Sequence, residues 1–242
     1  PCPATFPNPL TTTESNWADV DAAVEFVRKQ TGADKINLVG WSGGGPRAGG
    51  YTALHGDKVA RVVLFAPGYN RTAPNEPPAE PSAKAPTMIA DRAGAMARWD
   101  RAVKCEDQYD PEIREVVWNT NLQMDPVAAK WGQGVVRRPA ITSYGWNATL
   151  ARKFKAPVLM FVGDLDVEVL PERVRDLYSD VASVSKVYVQ IACGSHYIVY
   201  ERQYKLLHEG SKSWFLDGTF AGSSGAMLQA DVKGKVSEFK RR

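Results

Sequence analysis

Lys35-Ile36-Asn37-Leu38-Val39-Gly40-Trp41-Ser42-Gly43-Gly44-Gly45-Pro46 decides the reading of this chain. Ile36–Val39 has the apolar, β-branched content of a buried strand, and it runs directly into Gly-x-Ser-x-Gly. A strand that turns at once into a helix brings its two arms close together, so glycine is needed on both sides of the turn. The serine is then left at the strand's end, where a neighbouring base can reach it. The motif is short, so its weight depends on what surrounds it.

Upstream, residues 1–13 are rich in Pro and Thr and read as an extended lead-in. Ser15 or Asn16 can cap a helix whose apolar residues Trp17, Val20, Val24 and Val27 fall at helical spacing, and Gly32 can end it. Downstream, Pro46 to His55 suits a second helix stopped by Gly56, and Val59–Ala66 a further strand. Residues 68–155 break the alternation. They are rich in Pro, Ala and Glu at first, then follow a helical pattern without strands, and are expected to form an inserted, mostly helical lid. Alternation resumes with strand Pro157–Val162, helix Pro171–Ser179, strand Lys186–Ile191 and helix Tyr197–Leu216. The expected divisions are therefore 1–67 and 156–216 for the core, 68–155 for the lid, and 217–242 for a tail with a hairpin near Lys233-Gly234. Apolar strands alternating with helices imply an α/β fold with a parallel sheet covered on both faces.

The chemistry lies where strands end. Gly163-Asp164-Leu165-Asp166 follows one strand and Cys193-Gly194-Ser195-His196 the next. In open α/β sheets functional groups gather at that edge. Either Asp164 or Asp166 can supply the acid. Serine, then an acid, then His196, each after its own strand, is the chain order of one large hydrolase group. His55 and His208 fall within helices and read as structural or exposed. A Gly-Lys-Ser/Thr phosphate loop is absent.

On Gly40-Trp41-Ser42-Gly43-Gly44, Gly163-Asp164-Leu165-Asp166 with Pro171-Glu172-Arg173-Val174, and Gly194-Ser195-His196, the sequence resembles the α/β-hydrolase family over nearly all of residues 15–216. The resemblance implies Ser42 as nucleophile, His196 as general base then acid, and Asp166 rather than Asp164 as the orienting carboxylate. The backbone N–H of Gly43 is then one oxyanion donor. It further implies a lid at this insertion, whose Trp99, Trp118, Trp131 and Trp146, with Trp41, are candidates to line an apolar substrate pocket. The family has about eight strands, with the serine after the fifth. Only four are counted here, so the strands before the serine are expected to lie outside this chain. The expectation is a split or nicked hydrolase whose second chain supplies those strands, with Cys2 as one means of linking them.

Composition sets the outer bounds. The chain has 242 residues, 44% of them hydrophobic, which is enough for a sizeable core. The formal charge of +3 comes without basic clusters interleaved with aromatics, which argues against nucleic-acid binding. Lys233, Lys235, Lys240, Arg241 and Arg242 read as a solvated end. No apolar run reaches the roughly 20 residues of a membrane span. Cys2, Cys105 and Cys193 lack metal spacing. They permit one disulfide of open pairing, and Cys193 by itself reads as a small buried thiol. Two sequons, Asn70-Arg71-Thr72 and Asn147-Ala148-Thr149, read as chance matches. The compartment stays open, leaning toward a secreted or periplasmic one. The function expected is a serine esterase or lactonase with no cofactor, acting on a small-molecule ester or lactone. Acyl transfer, thioester cleavage or a non-catalytic binding protein are the alternatives.

Overall fold

The computed structural model describes residues 3, 5–79, 85–138 and 143–240. Its main element is a six-stranded sheet in the order β1-β2-β5-β6-β7-β8. These strands are β1 (Ile36–Trp41), β2 (Val59–Phe65), β5 (Val158–Gly163), β6 (Lys186–Ile191), β7 (Ala226–Ala230) and β8 (Val236–Glu238). The first five run parallel and β8 closes antiparallel on β7.

Strand periodicity sorts the core into two layers. Val62 and Leu64 of β2, with Val158, Met160 and Val162 of β5, face one side. There they meet α1 (Thr13–Thr31), α2 (Gly44–Leu54), α5 (Ala148–Ala151) and α6 (Pro171–Asp180) through Val24, Tyr51, Ala151 and Leu177. Val63, Phe65, Leu159 and Phe161 face the other side, covered by Leu207 and Trp214 of α7 (Tyr204–Asp217). Each of these fully buried large side chains contributes about 1.5–3 kcal/mol. Central β2 and β5 are therefore apolar on both faces, while edge β1 leaves Val39 57% exposed. Among the described residues β1 pairs only with β2.

Several element boundaries differ from those expected. Thr12, not Ser15 or Asn16, caps α1: its side chain accepts from the Ser15 N–H, and Ser15 Oγ accepts from the Thr12 N–H. That reciprocal pair satisfies two otherwise orphaned donors. Gly32 ends the helix at φ 72°, as expected. Val27, though on the helical repeat, stays 39% exposed. The stretch after His196 does not continue into α7. Residues 197–200 and 202–203 form turns around Glu201, which bridges to Tyr109 and folds its side chain back onto Ser195 rather than facing outward along a helix. Residues 217–242 are more than a tail, since 226–230 and 236–238 add two strands to the sheet. The hairpin forms where expected, with Asp231 Oδ1 accepting from the N–H groups of Lys233 and Lys235.

Between β2 and β5 lie α3 (Arg92–Ala102) and α4 (Ile113–Met124). A two-stranded antiparallel sheet joins them, made of β3 (Met88–Asp91) and β4 (Val135–Arg138). These strands correct the strandless expectation. The insertion has its own small core around Ala95, Trp118 and Val136. Cys105 is disulfide-bonded to Cys193 across 88 residues, which replaces the free buried thiol expected at Cys193. Cys2 lies outside the described residues. No described helix is long and apolar enough to cross a membrane.

Candidate active site

Ser42 sits at φ 54°, a left-handed conformation that non-glycine residues adopt only where the surroundings enforce it. The enforcement is visible. Its N–H donates to the Phe65 carbonyl at 2.9 Å, and its carbonyl accepts from Gly45 and Gly68, both at 2.9 Å. A Cβ on Gly40 would stand 2.6 Å from the Gly44 carbonyl oxygen, so only glycine lets β1 turn this sharply into α2.

Beyond β5 and β6 the same close approach recurs. A Cβ on Gly163 would lie 2.1 Å from the Gly194 oxygen, and Leu165 N–H donates to that oxygen at 2.9 Å. The acid-bearing and histidine-bearing loops are thus locked together. His196 Nδ1 lies 2.9 Å from Asp166 Oδ2, and His196 Nε2 lies 2.7 Å from Ser42 Oγ. Asp166 is 2% exposed, and its other oxygen accepts from Glu168 and Val169 N–H groups at 2.9 and 2.8 Å. Asp166, not Asp164, is therefore the acid that meets the imidazole. An imidazole between a buried carboxylate and a hydroxyl can take the hydroxyl proton while the carboxylate stabilises the resulting cation. Gly43 follows Ser42 at the start of α2, where backbone N–H groups have no partner in the helix. His55 stacks on Tyr51 and His208 lies beside Tyr204 on α7, so neither reaches this group.

Ser42 and His196 open into a cavity of about 680 Å³, between the sheet edge and the insertion. Of the five tryptophans expected there, Trp41, Trp99, Trp118 and Trp146 line it. Trp131 does not. It ends the short helical turn Pro126–Lys130, its N–H bonded to the Ala128 carbonyl, away from the cavity wall. Trp99 stacks on Tyr197 with ring centroids 4.2 Å apart, joining the insertion to the histidine loop.

Sequence reasoning missed several polar residues here. Glu168 receives both guanidinium arms of Arg98 at 3.1 and 2.5 Å and lies 3.8 Å from His196 Nε2. Burial acts to raise its carboxyl, but the Arg98 hydrogen bond and the His196, Arg98 and Arg138 charges outweigh that and hold it below its ordinary value. Glu201, 3% exposed, lies behind the histidine loop. It accepts from Ser195 N–H at 2.9 Å, Gln108 Nε2 at 2.8 Å and the Ser195 hydroxyl. Burial pushes its carboxyl up. The sequence offered a signal only for Glu168, two residues past Asp166. Arg98 and Gln108 come from the insertion, where no pattern sets their facing.

A model of the family described as serine aminopeptidase, S33, matches residues 10–203. Among solved structures, a monoacylglycerol lipase of Paleococcus ferrophilus is 20% identical at a TM-score of 0.52, over 87% of this chain and 77% of the lipase. A serine hydrolase of carbazole degradation, the CarC enzyme, is 16% identical at 0.55, over 87% and 74%. A structure of the metagenome-derived lipolytic enzymes LipS and LipT is 17% identical at 0.54, over 84% and 73%. At these identities the likeness shows the fold. No curated protein sequence matches the chain.

Proposed function

The chain belongs to the serine aminopeptidase S33 family of α/β-hydrolases, and on that premise we propose that it is a carboxylic-ester or lactone hydrolase working through an acyl-enzyme on Ser42. The observation that carries this reading is the continuous contact from Asp166 through His196 to Ser42. His196 Nε2 removes the Ser42 proton as Oγ attacks the ester carbonyl carbon. The oxyanion so formed is met by the Gly43 N–H. His196 then passes its proton to the departing alcohol oxygen, leaving the acyl group on Ser42. Water, deprotonated by the same nitrogen, releases the acid and restores the serine. Every step uses groups of this chain.

Residues 68–155 act as the lid over this site. Their Trp99, Trp118 and Trp146 supply the apolar wall for a partly apolar substrate, with Trp41 completing it from the core. The family description offers peptide hydrolysis as a second reading. The cavity favours esters over aminopeptides, because its sole lining carboxylate among the described residues, Glu168, is already engaged by Arg98. Among the described residues lining it, a free ammonium group finds no unpaired acid. The second chain expected beside β1 gains no support from the family match.

A fluorophosphonate probe with peptide mapping tests the reading directly. It should label Ser42, and Ser42→Ala should abolish both labelling and hydrolysis of 4-nitrophenyl butyrate. Turnover that survives Ser42→Ala would overturn it. An aminoacyl 4-nitroanilide run alongside separates esterase from aminopeptidase.

A further inference from the structure

The cavity wall carries more positive charge than its own acids neutralise. Among the described residues, Arg47, Arg98, Arg114 and Arg138 line it against the single carboxylate of Glu168. Three of the four guanidinium groups are held. Arg47 donates to Asn16 and to the Gly43 carbonyl, Arg98 to Glu168, and Arg114 to Asp100 at 2.7 Å. The Arg138 guanidinium has no hydrogen bond or ion pair with any described residue.

Strand alternation explains how it comes to face inward. On β4, Val136 is buried in the insertion's core beside Ala95 and Trp118, while Arg137 turns outward to Asp125. Arg138, two residues past Val136, returns to the inner face. There it feels Arg98, Tyr197 and Glu168, all of which line the cavity. Burial first, then the Arg98 charge, push the guanidinium below its ordinary value. An arginine half-withdrawn from water, with the Glu168 charge nearby but no ion pair to any described carboxylate, is costly unless a ligand supplies the anion.

We propose that Arg138 binds a carboxylate carried by the substrate, so that the ester cleaved at Ser42 is an acidic one, a half-ester of a dicarboxylic acid or an ester with a free carboxylate elsewhere. The planar guanidinium fork matches a carboxylate with two parallel hydrogen bonds. Glu168 does not compete for it, since Arg98 already holds both of that acid's oxygens. The aromatic wall accommodates the chain between the carboxylate and the scissile ester. This inference rests on Ser42 being the nucleophile, and its test keeps the two apart.

Two series of 4-nitrophenyl esters decide it, one of ω-carboxy acyl groups from hydrogen succinate to hydrogen suberate, the other of unbranched neutral acyl groups of matching length. Arg138→Gln should lower kcat/KM about 10- to 100-fold for the best carboxylate ester and change the neutral series less than about twofold. Arg138→Lys should fall between, keeping the charge and losing the fork. The neutral series also reports whether the variants are folded. Equal losses on both series, or no loss on either, overturn the proposal. Binding of the free dicarboxylates, read by tryptophan quenching, gives an arm independent of turnover. About tenfold or more weaker binding by Arg138→Gln supports the proposal, and unchanged affinity overturns it. Failure of both ester series together with an unlabelled Ser42 refutes the hydrolase reading, while the dicarboxylate arm still decides the anion site.

Discussion

The indole Nε1–H of Trp41 donates to the backbone carbonyl of His196 at 3.0 Å, while the next residue, Ser42, meets the imidazole of the same histidine at 2.7 Å. Two consecutive residues of one turn thus hold the histidine from its main chain and from its ring. Trp41 packs edge-on against Tyr200 at 5.6 Å, so the indole is fixed in place. Trp41 therefore combines two positions, in the wall of the cavity and as a strut for His196.

Trp41→Phe keeps an aromatic ring at this position, deletes the donor and gives up part of the indole's volume. It leaves the His196 carbonyl without that partner, at a cost of about 1–3 kcal/mol. We expect kcat on 4-nitrophenyl butyrate to fall about tenfold with KM changed less than about twofold. A rise in KM at constant kcat would assign Trp41 to substrate contact alone.

Asp166→Asn should act through the tautomer. The Asp166 Oδ1 contacts to Glu168 and Val169 N–H groups can be kept by the amide oxygen, so the loop stays folded. The amide nitrogen then faces His196 Nδ1 as a donor, which places the ring proton on the nitrogen that must accept from Ser42. A fall in kcat of about 10⁴ at neutral pH is expected, with an unchanged melting temperature. Asp164→Asn is the control. An equal loss there would mean that the carboxylate assignment is wrong.

The core was legible because its signals are local. The short apolar runs of β1, β2, β5 and β6 signal buried strands, and the glycines at 40, 163 and 194 carry a steric requirement. Ser42, Asp166 and His196 could be placed together because each follows a strand and parallel strands bring those ends to one edge. The rest depends on packing that no local pattern encodes. β7 and β8 hide in a Gly/Ser-rich stretch, and pairing with β6 is what makes Ala226–Ala230 a strand. Trp131 and Trp118 look alike in sequence, yet only one faces the cavity. Arg98, Arg138 and Glu201 are ordinary surface residue types whose facing is set by tertiary contacts. The Cys105–Cys193 pairing joins positions 88 residues apart across two elements that the sequence does not dock.

That disulfide ties the insertion to the histidine loop, three residues before His196. Closing so long a loop restricts the unfolded chain, for which about 2–4 kcal/mol is typical. Cys105→Ser should lower the melting temperature by about 5–10 °C in scanning calorimetry. Dithiothreitol should bring the native protein to the same value and leave the variant where it is. Identical melts with and without reductant would show that the bond stabilises nothing. A covalent tie of this kind suits an oxidising compartment.

Glu201 gives the pH dependence a sign. Burial raises its carboxyl, and the bonds from the Ser195 hydroxyl, Ser195 N–H and Gln108 lower it only in part. A carboxyl raised on folding binds its proton more tightly in the native state than in the unfolded one. Its contribution is complete below the ordinary carboxyl range and is lost as pH rises through the raised value. Carboxyls that are lowered, such as Glu168 and Asp180, act in the opposite direction and lose stabilisation as pH falls. The whole-protein curve therefore mixes both signs, and the difference between native protein and Glu201→Gln isolates one. Glutamine cannot ionise, so melting temperatures taken from pH 4 to 8 should decline less for the variant as pH rises above the ordinary carboxyl range. The variant should be the less stable at the acid end, where Glu201 keeps its network at no ionisation cost, and the two curves should converge toward neutral pH. Parallel curves would mean that Glu201 titrates alike in the folded and unfolded chains, and that its pairing with Ser195 and Gln108 balances its burial.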